Sequence, residues 1–173
     1  MFFSNLDIDK IKKGNKIIKR PLEQKDTFWA GKLNNAGVQY FNAQQFDKAI
    51  ASYQKALPEA GDDNLKAMIL FNLSSAYLEK GIIPYSSSKD DGCYKKSIAY
   101  ANECLEIEPS YWQALANIAT VHMNMNNLKK ADHYFKLAER YTDKNSPGYK
   151  QLIAQHAMVK GLMIAREKQS KKK

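Results

Sequence analysis

An all-α chain is expected, an α-solenoid of helix-turn-helix repeats, and three observations predict it. Leu33, Ala36, Gly37 and Tyr40 recur at identical offsets as Leu70, Leu73, Ser74 and Tyr77, and again as Leu115, Ile118, Ala119 and His122. A second set trails each of these with one shared spacing: Ala49, Tyr53, Ala56; Ser97, Ala101, Cys104; Ala131, Phe135, Ala138. Prolines and glycines cluster between the segments, and no alternating strand pattern occurs. At 173 residues and 44% hydrophobic content, one continuous helical core is within reach.

Taken in order, residues 1–26 read as a basic, partly ordered arm. Met1-Phe2-Phe3, Ile8, Ile11, Ile17 and Ile18 sit among lysines in a weakly amphipathic pattern, which Gly14, Asn15 and Pro21 interrupt. Residues 27–145 hold three repeats, at about 30–63, 67–110 and 112–145, with helices near 27–43, 46–58, 64–80, 93–107, 111–125 and 128–141. Gly37 to Ala49 and Ala119 to Ala131 are each twelve residues, but Ser74 to Ser97 is twenty-three. The second repeat therefore carries eleven extra residues near 82–92, where Gly81, Pro84 and Gly92 break helices and Ser86, Ser87 and Ser88 run together: a surface loop. Ser87 and Ser88 each precede an aspartate by three residues, a phosphorylation pattern in principle, though short acidic-flanked serines are common by chance. Pro109 stops the helix that ends Leu105-Glu106-Ile107-Glu108. Ser146-Pro147 opens a last helix near 147–169 with a proline in its first turn. Residues 146–165 read as a cap, in which Leu152, Ile153, Ala157, Leu162, Met163 and Ile164 cover the open face of the third repeat, and 166–173 as a basic tail.

Residues 30–143 resemble the tetratricopeptide repeat family, whose 34-residue unit has an aromatic or leucine, a small pair and a tyrosine, then a small-aromatic-small helix. The first and third units match best, and Pro109 stands where the family usually places a proline; the other two units lack it. In such folds small residues let the two helices of a unit approach while large ones fill the gap to the next unit.

The resemblance implies that the first helix of each unit lines a concave groove. The groove positions then fall on Asn34, Asn35, Val38, Phe41 and Asn42; on Met68, Phe71, Asn72, Ser75, Leu78 and Glu79; and on Gln113, Asn117, Thr120, Met123 and Asn124. Asn35, Asn72 and Asn117 share one repeat position. An asparagine amide both donates and accepts, so a row of them can track the backbone of an extended peptide, with Phe41, Phe71, Leu78 and Met123 forming side-chain pockets. The reading is a non-enzymatic adaptor or co-chaperone-like module that binds an extended protein or peptide segment. Co-chaperone members of the family clamp the acidic tails of Hsp70 and Hsp90 with lysines, an arginine and two asparagines. At those positions this chain has Asn34, Val38, Asn72, Gln113 and Asn117, so only Asn72 matches and the cations are missing. That clamp is not expected.

Two other readings stand beside this one. The chain is either a self-assembling scaffold or homo-oligomer, akin to the secretion chaperones that combine three such repeats with end helices, or a charge-driven binder of nucleic acid or membrane surface. The net charge of +9 sits at the ends: residues 1–32 are net +4 and 150–173 net +6, whereas 33–149 are net −1. The tail lacks aromatic interleaving and the chain lacks a recognition fold, so specific nucleic-acid binding is not expected.

Nothing points to catalysis, metal or a cofactor. His122, His133 and His156 fall on different helices without paired ligand spacing, and no glycine-rich phosphate loop is present. His122 takes a packing position; His133 and His156 are expected at the surface or its boundary. Trp29 and Trp112 are expected to pack on neighbouring helices. Cys93 and Cys104 lie about 16 Å apart on one helix, too far for a bridge. With no bilayer-spanning stretch and no leader pattern, a cytoplasmic location is expected.

Overall fold

The computed structural model describes residues 27–82 and 91–171, and among them it has seven α-helices and no strand. Helices α1 (Thr27–Asn42) and α2 (Phe46–Ala56) form the first unit, which leaves through a 3-10 turn at Leu57–Glu59. Helices α3 (Asp63–Ile82) and α4 (Asp91–Ile107) form the second, α5 (Trp112–Asn124) and α6 (Leu128–Tyr141) the third, and α7 (Pro147–Ser170) follows. Each helix packs on its successor, and the leading helices α1, α3 and α5 also touch one another in sequence. That second set of contacts makes a solenoid, because each unit buries its apolar face only against the next.

The small-residue positions solve one problem three ways. In the first unit, a β-carbon on Gly37 would stand 2.4 Å from the Tyr53 ring, so α1 and α2 close only because the side chain is absent. In the second, Ser74 and Ser97 meet hydroxyl to hydroxyl at 3.3 Å inside the α3/α4 contact. In the third, Ala119 lies in one fully buried cluster with Phe135. The short turns of the first and third units are also built alike. Gln44 and Asn126, at matching repeat positions, take left-handed φ values of 57° and 66°. Gln45 and Asn127 donate back to Tyr40 and His122, which closes each helix end.

The inserted segment begins and ends as helix. Gly81 and Ile82 complete α3, and Asp91 and Gly92 open α4. Tyr94 holds this end, since its ring lies 2.8 Å from where a Gly81 β-carbon would be. The serines at 86–88, Pro84 and the arm at 1–26 fall outside the described residues.

Three expectations are corrected at the ends of the solenoid. Trp29 does not pack inward: it is 55% exposed beside the edge of Phe28, because α1 is the first described helix and has neighbours on one side only. Helix α7 docks on a different stripe from the one expected. Leu152, His156 and Val159 are buried and Met163 is half-buried, whereas Ala157, Leu162 and Ile164 face solvent. The spacing of four, three and four residues keeps the buried set on one face of a helix, which residues 157, 162 and 164 leave. The helix itself runs to Ser170, as expected for the last helix read near 147–169, and no glycine or proline interrupts Arg166 to Ser170.

The third correction is His156, which is 1% exposed and not at a boundary. Its ring stacks on Phe135, Nε2 lies 2.8 Å from the Asp132 carboxylate, and Nδ1 bonds Glu139. Each ring nitrogen thus has a carboxylate oxygen beside it. His133 is exposed, and His122 is half-buried with its ring stacked on Tyr134. Burial, with the charge of Lys130, holds His122 below the usual imidazole range, as suits a packing residue.

Candidate functional site

Two hollows adjoin along the leading helices and share Phe71, Leu78, Glu79 and Asn117, so they form one groove. The first, of about 290 Å³, is lined by Val38, Phe41, Tyr53, Asn72 and Ser75 besides the shared residues. The second, of about 230 Å³, adds Trp112, Gln113, Ala116 and Thr120 from α5. Its far wall is α7, through Gly148, Gln151, Leu152 and Gln155.

The groove follows from the repeat. Phe71, Asn72, Ser75 and Glu79, with one edge of the buried Leu78, occupy the face of α3 left between α1 and α5 once Leu70, Leu73, Ser74 and Tyr77 have packed. Phe71 also lies against Tyr111, with ring centroids 5.4 Å apart, which fixes its ring at the junction of the two hollows. Trp112 is positioned by Gly148, where an added β-carbon would fall 2.6 Å from the indole.

The amides make inter-unit bonds. Asn72 Nδ2 donates to Asn34 Oδ1 at 2.8 Å, joining α3 to α1. Asn117 Nδ2 lies 3.1 Å from Ser74 Oγ and 2.9 Å from Ser75 Oγ, joining α5 to α3. The Asn117 donors thus point into the protein, while its carbonyl oxygen has capacity left. Asn72 keeps one N–H and its oxygen. Asn34, 3% exposed, is the first-unit amide that meets this seam; Asn35 is exposed and lies outside both hollows.

The other anticipated positions divide in the same way. Val38, Phe41, Phe71, Asn72, Ser75, Leu78, Gln113, Asn117 and Thr120 line the groove, whereas Asn42, Met68, Met123 and Asn124 do not. Asn42 and Met68 are exposed, and Met123 packs against the cluster of Leu115, Phe135 and Leu152. The contribution of α7 was missed. Its signal was available as the spacing Gly148, Gln151, Leu152, Gln155, a single helical stripe beside the buried one.

Glu79 is the sole charged side chain lining either hollow among the described residues. Solvent reaches it, yet the surrounding protein removes enough water to push its carboxyl above the ordinary range. Among the described residues no cation pairs with it. Burial also pushes the Tyr53 phenol up to about 12, so that wall stays neutral. Among the described residues no group of His, Cys, Asp and Glu could hold a metal ion, and no helix is long and apolar enough to cross a membrane.

Comparisons with known proteins agree with this geometry. The tetratricopeptide repeat family model matches residues 113–145, the third unit. No curated protein sequence matches the chain. Among solved structures, it is similar to the second tetratricopeptide domain of human RPAP3 in complex with the HSP70 peptide SGPTIEEVD, at 20% identity, TM-score 0.60, 77% of this chain and 96% of that one. The TPR2B domain of yeast Sti1, in a complex with pHsp70, aligns at 16% identity and TM-score 0.64 over 78% and 98% of the two chains. The Sgt2 domain of Aspergillus fumigatus aligns at 18% identity and TM-score 0.62 over 80% and 82%. The stacked pairs, the leading-helix groove and these likenesses give the chain an all-α solenoid fold of the tetratricopeptide-repeat type, with the family's repeat matched at residues 113–145.

Proposed function

We propose that the groove binds an extended segment of a partner protein, making the chain an adaptor of the co-chaperone type with no catalytic role. The observation that carries this reading is the continuity of the two hollows through Phe71, Leu78 and Asn117, which sets apolar surface beside amides with unused hydrogen-bonding capacity. Apolar pockets then select alternate side chains of a strand-like ligand, and the Asn72 and Asn117 oxygens accept from its backbone. The HSP70 peptide held by the RPAP3 domain ends in acidic residues. An acidic tail is a poor ligand on this reading, because among the described residues the groove offers it no cation and presents Glu79 instead. The domain limits read from the sequence, with repeats at 27–145 and a cap from 146, are part of the same proposal.

The test is to select peptides from a random display library on the full chain and measure the affinity of the best one. Phe71→Ala and Asn117→Ala are expected to weaken it at least tenfold, about 1.4 kcal/mol. Unchanged affinity in both variants, with helical content at the assay temperature retained, would sink the groove reading.

A further inference from the structure

The chemistry of the groove also specifies the charge of its ligand. We infer that the bound segment carries a lysine or arginine, seated at the junction of the two hollows with its head on Glu79 and its stem against Phe71 and Leu78. The inference rests on the groove reading above. Three features of the junction lead to it.

First, Glu79 is common to both hollows and no Lys, Arg or His lines either among the described residues. A carboxylate left without a partner in a partly desolvated site gains most from a cation brought by a ligand. Its raised pKa is the same desolvation seen from the proton's side.

Second, the nearest amide has been turned into an acceptor. Asn117 directs its nitrogen at Ser74 and Ser75, which leaves the carbonyl oxygen for the groove. Thr120 Oγ1 donates to the Ala116 carbonyl at 2.9 Å, so that hydroxyl hydrogen is occupied as well. At the junction itself the two shared polar residues, Glu79 and Asn117, therefore present acceptors, which favours a ligand group that brings donors. Ammonium and guanidinium groups are donors only, whereas a carboxylate would face acceptor against acceptor.

Third, the walls suit the rest of such a side chain. Phe71, Leu78 and Trp112 offer apolar surface to a methylene stem, and the aromatic rings favour a nearby cation.

The experiment uses the full chain and three pools of short fluorescein-labelled peptides, identical in their randomised apolar and small positions and differing only in a fixed central Lys, Gln or Glu. Fluorescence anisotropy at low ionic strength should show the Lys pool binding about tenfold more tightly than the Gln pool, and the Glu pool most weakly. Glu79→Gln should erase the Lys-over-Gln gap, and Glu79→Lys should bring the Glu pool ahead of the Lys pool. Equal binding of the Lys and Gln pools, or a gap that survives Glu79→Gln, overturns the inference. Phe71→Ala separates the two claims. If it lowers binding of every pool while charge has no effect, the groove stands and the cation preference falls; if it changes nothing, the groove reading fails first. Failure of all pools to bind the wild-type chain overturns both.

Discussion

Between the stacked units the polar contacts that border the groove are neutral, since Asn72 reaches Asn34 and Asn117 reaches Ser74 and Ser75, while the ion pair of Lys80 with Asp47 lies at the exposed surface away from both hollows. Between the last unit and α7 the polar contacts involve carboxylates: the buried His156 bonds Asp132 and Glu139 at once. The first kind of junction borders the groove and leaves acceptor atoms over for a ligand. The second closes the end of the solenoid and leaves nothing over, because both ring nitrogens are bonded. A neutral bond can lose one partner at modest cost, whereas a buried charge that loses its partner is left uncompensated. The two junctions should therefore answer very differently to the same kind of substitution.

The largest effect is expected at the carboxylate junction. His156→Ala removes a ring stacked on Phe135 and leaves two carboxylates facing a gap, which should cost about 3 kcal/mol, the low end for a broken buried pair since both carboxylates are partly solvent-reachable. Urea unfolding monitored by circular dichroism measures this, and limited proteolysis should show α7 as the first element released. A loss within a few tenths of a kcal/mol would make the junction a packing contact and remove the contrast.

Next comes the second contact of the same junction. Gly148→Ala drives a methyl group towards the Trp112 indole, 2.6 Å from its nearest atom, and should cost about 2 kcal/mol by overpacking. Because both residues line the groove, the same substitution should also weaken peptide binding, and the pairing of the two losses distinguishes it from His156→Ala.

Smaller again is the neutral seam. Asn117→Ala should destabilise by about 1 kcal/mol, since Ser74 and Ser75 lose a donor but keep other options. Asn35→Ala, at an exposed amide, should fall within about 0.5 kcal/mol of wild type. Equal losses at Asn35 and Asn117 would mean that the inter-unit bonds add nothing to the stack.

The contrast also marks what could be read from the sequence. The helices and their small-residue contacts were legible because repetition supplied three aligned copies of one packing problem, with Gly37, Ser74 and Ala119 at one repeat position and a small or aromatic residue on the following helix for each. The same repetition pointed to the residues of α3 and α5 that line the two hollows, although Met68, Met123 and Asn124, singled out with them, do not. The α7 wall and the His156 cluster were not, because α7 occurs once and has no second copy to fix its phase. Its buried face could have been read from the seven-residue separation of Asp132 and Glu139, which puts two acids on one side of α6 opposite a histidine. Asn35 shows the reverse error. It shares a repeat position with Asn72 and Asn117, but α1 has no preceding unit among the described residues for its amide to bond, and Asn34 makes the contact to α3 instead.

The smallest expected effect is one of pH, and it separates the two junctions without removing either. Burial by itself would raise Asp132, but its hydrogen bonds to Lys136 on α6 and His156 on α7, with their charges, outweigh that and hold it below the ordinary carboxylate range. Glu139 occupies the other ring nitrogen of His156. A carboxyl whose pKa is depressed by folding takes up protons more readily when unfolded. Its contribution is therefore complete above the ordinary carboxylate pKa and fades as pH falls through the lowered folded value. Melting temperatures of wild type and Asp132→Asn should differ at neutral pH and converge in acid. The gap between wild type and Asn117→Ala should hold steady over the same interval, because asparagine and serine do not titrate there. If both gaps close together, acid acts on the solenoid as a whole rather than on the charge at its closing end; if neither closes, the Asp132 carboxylate does not link folding to protons.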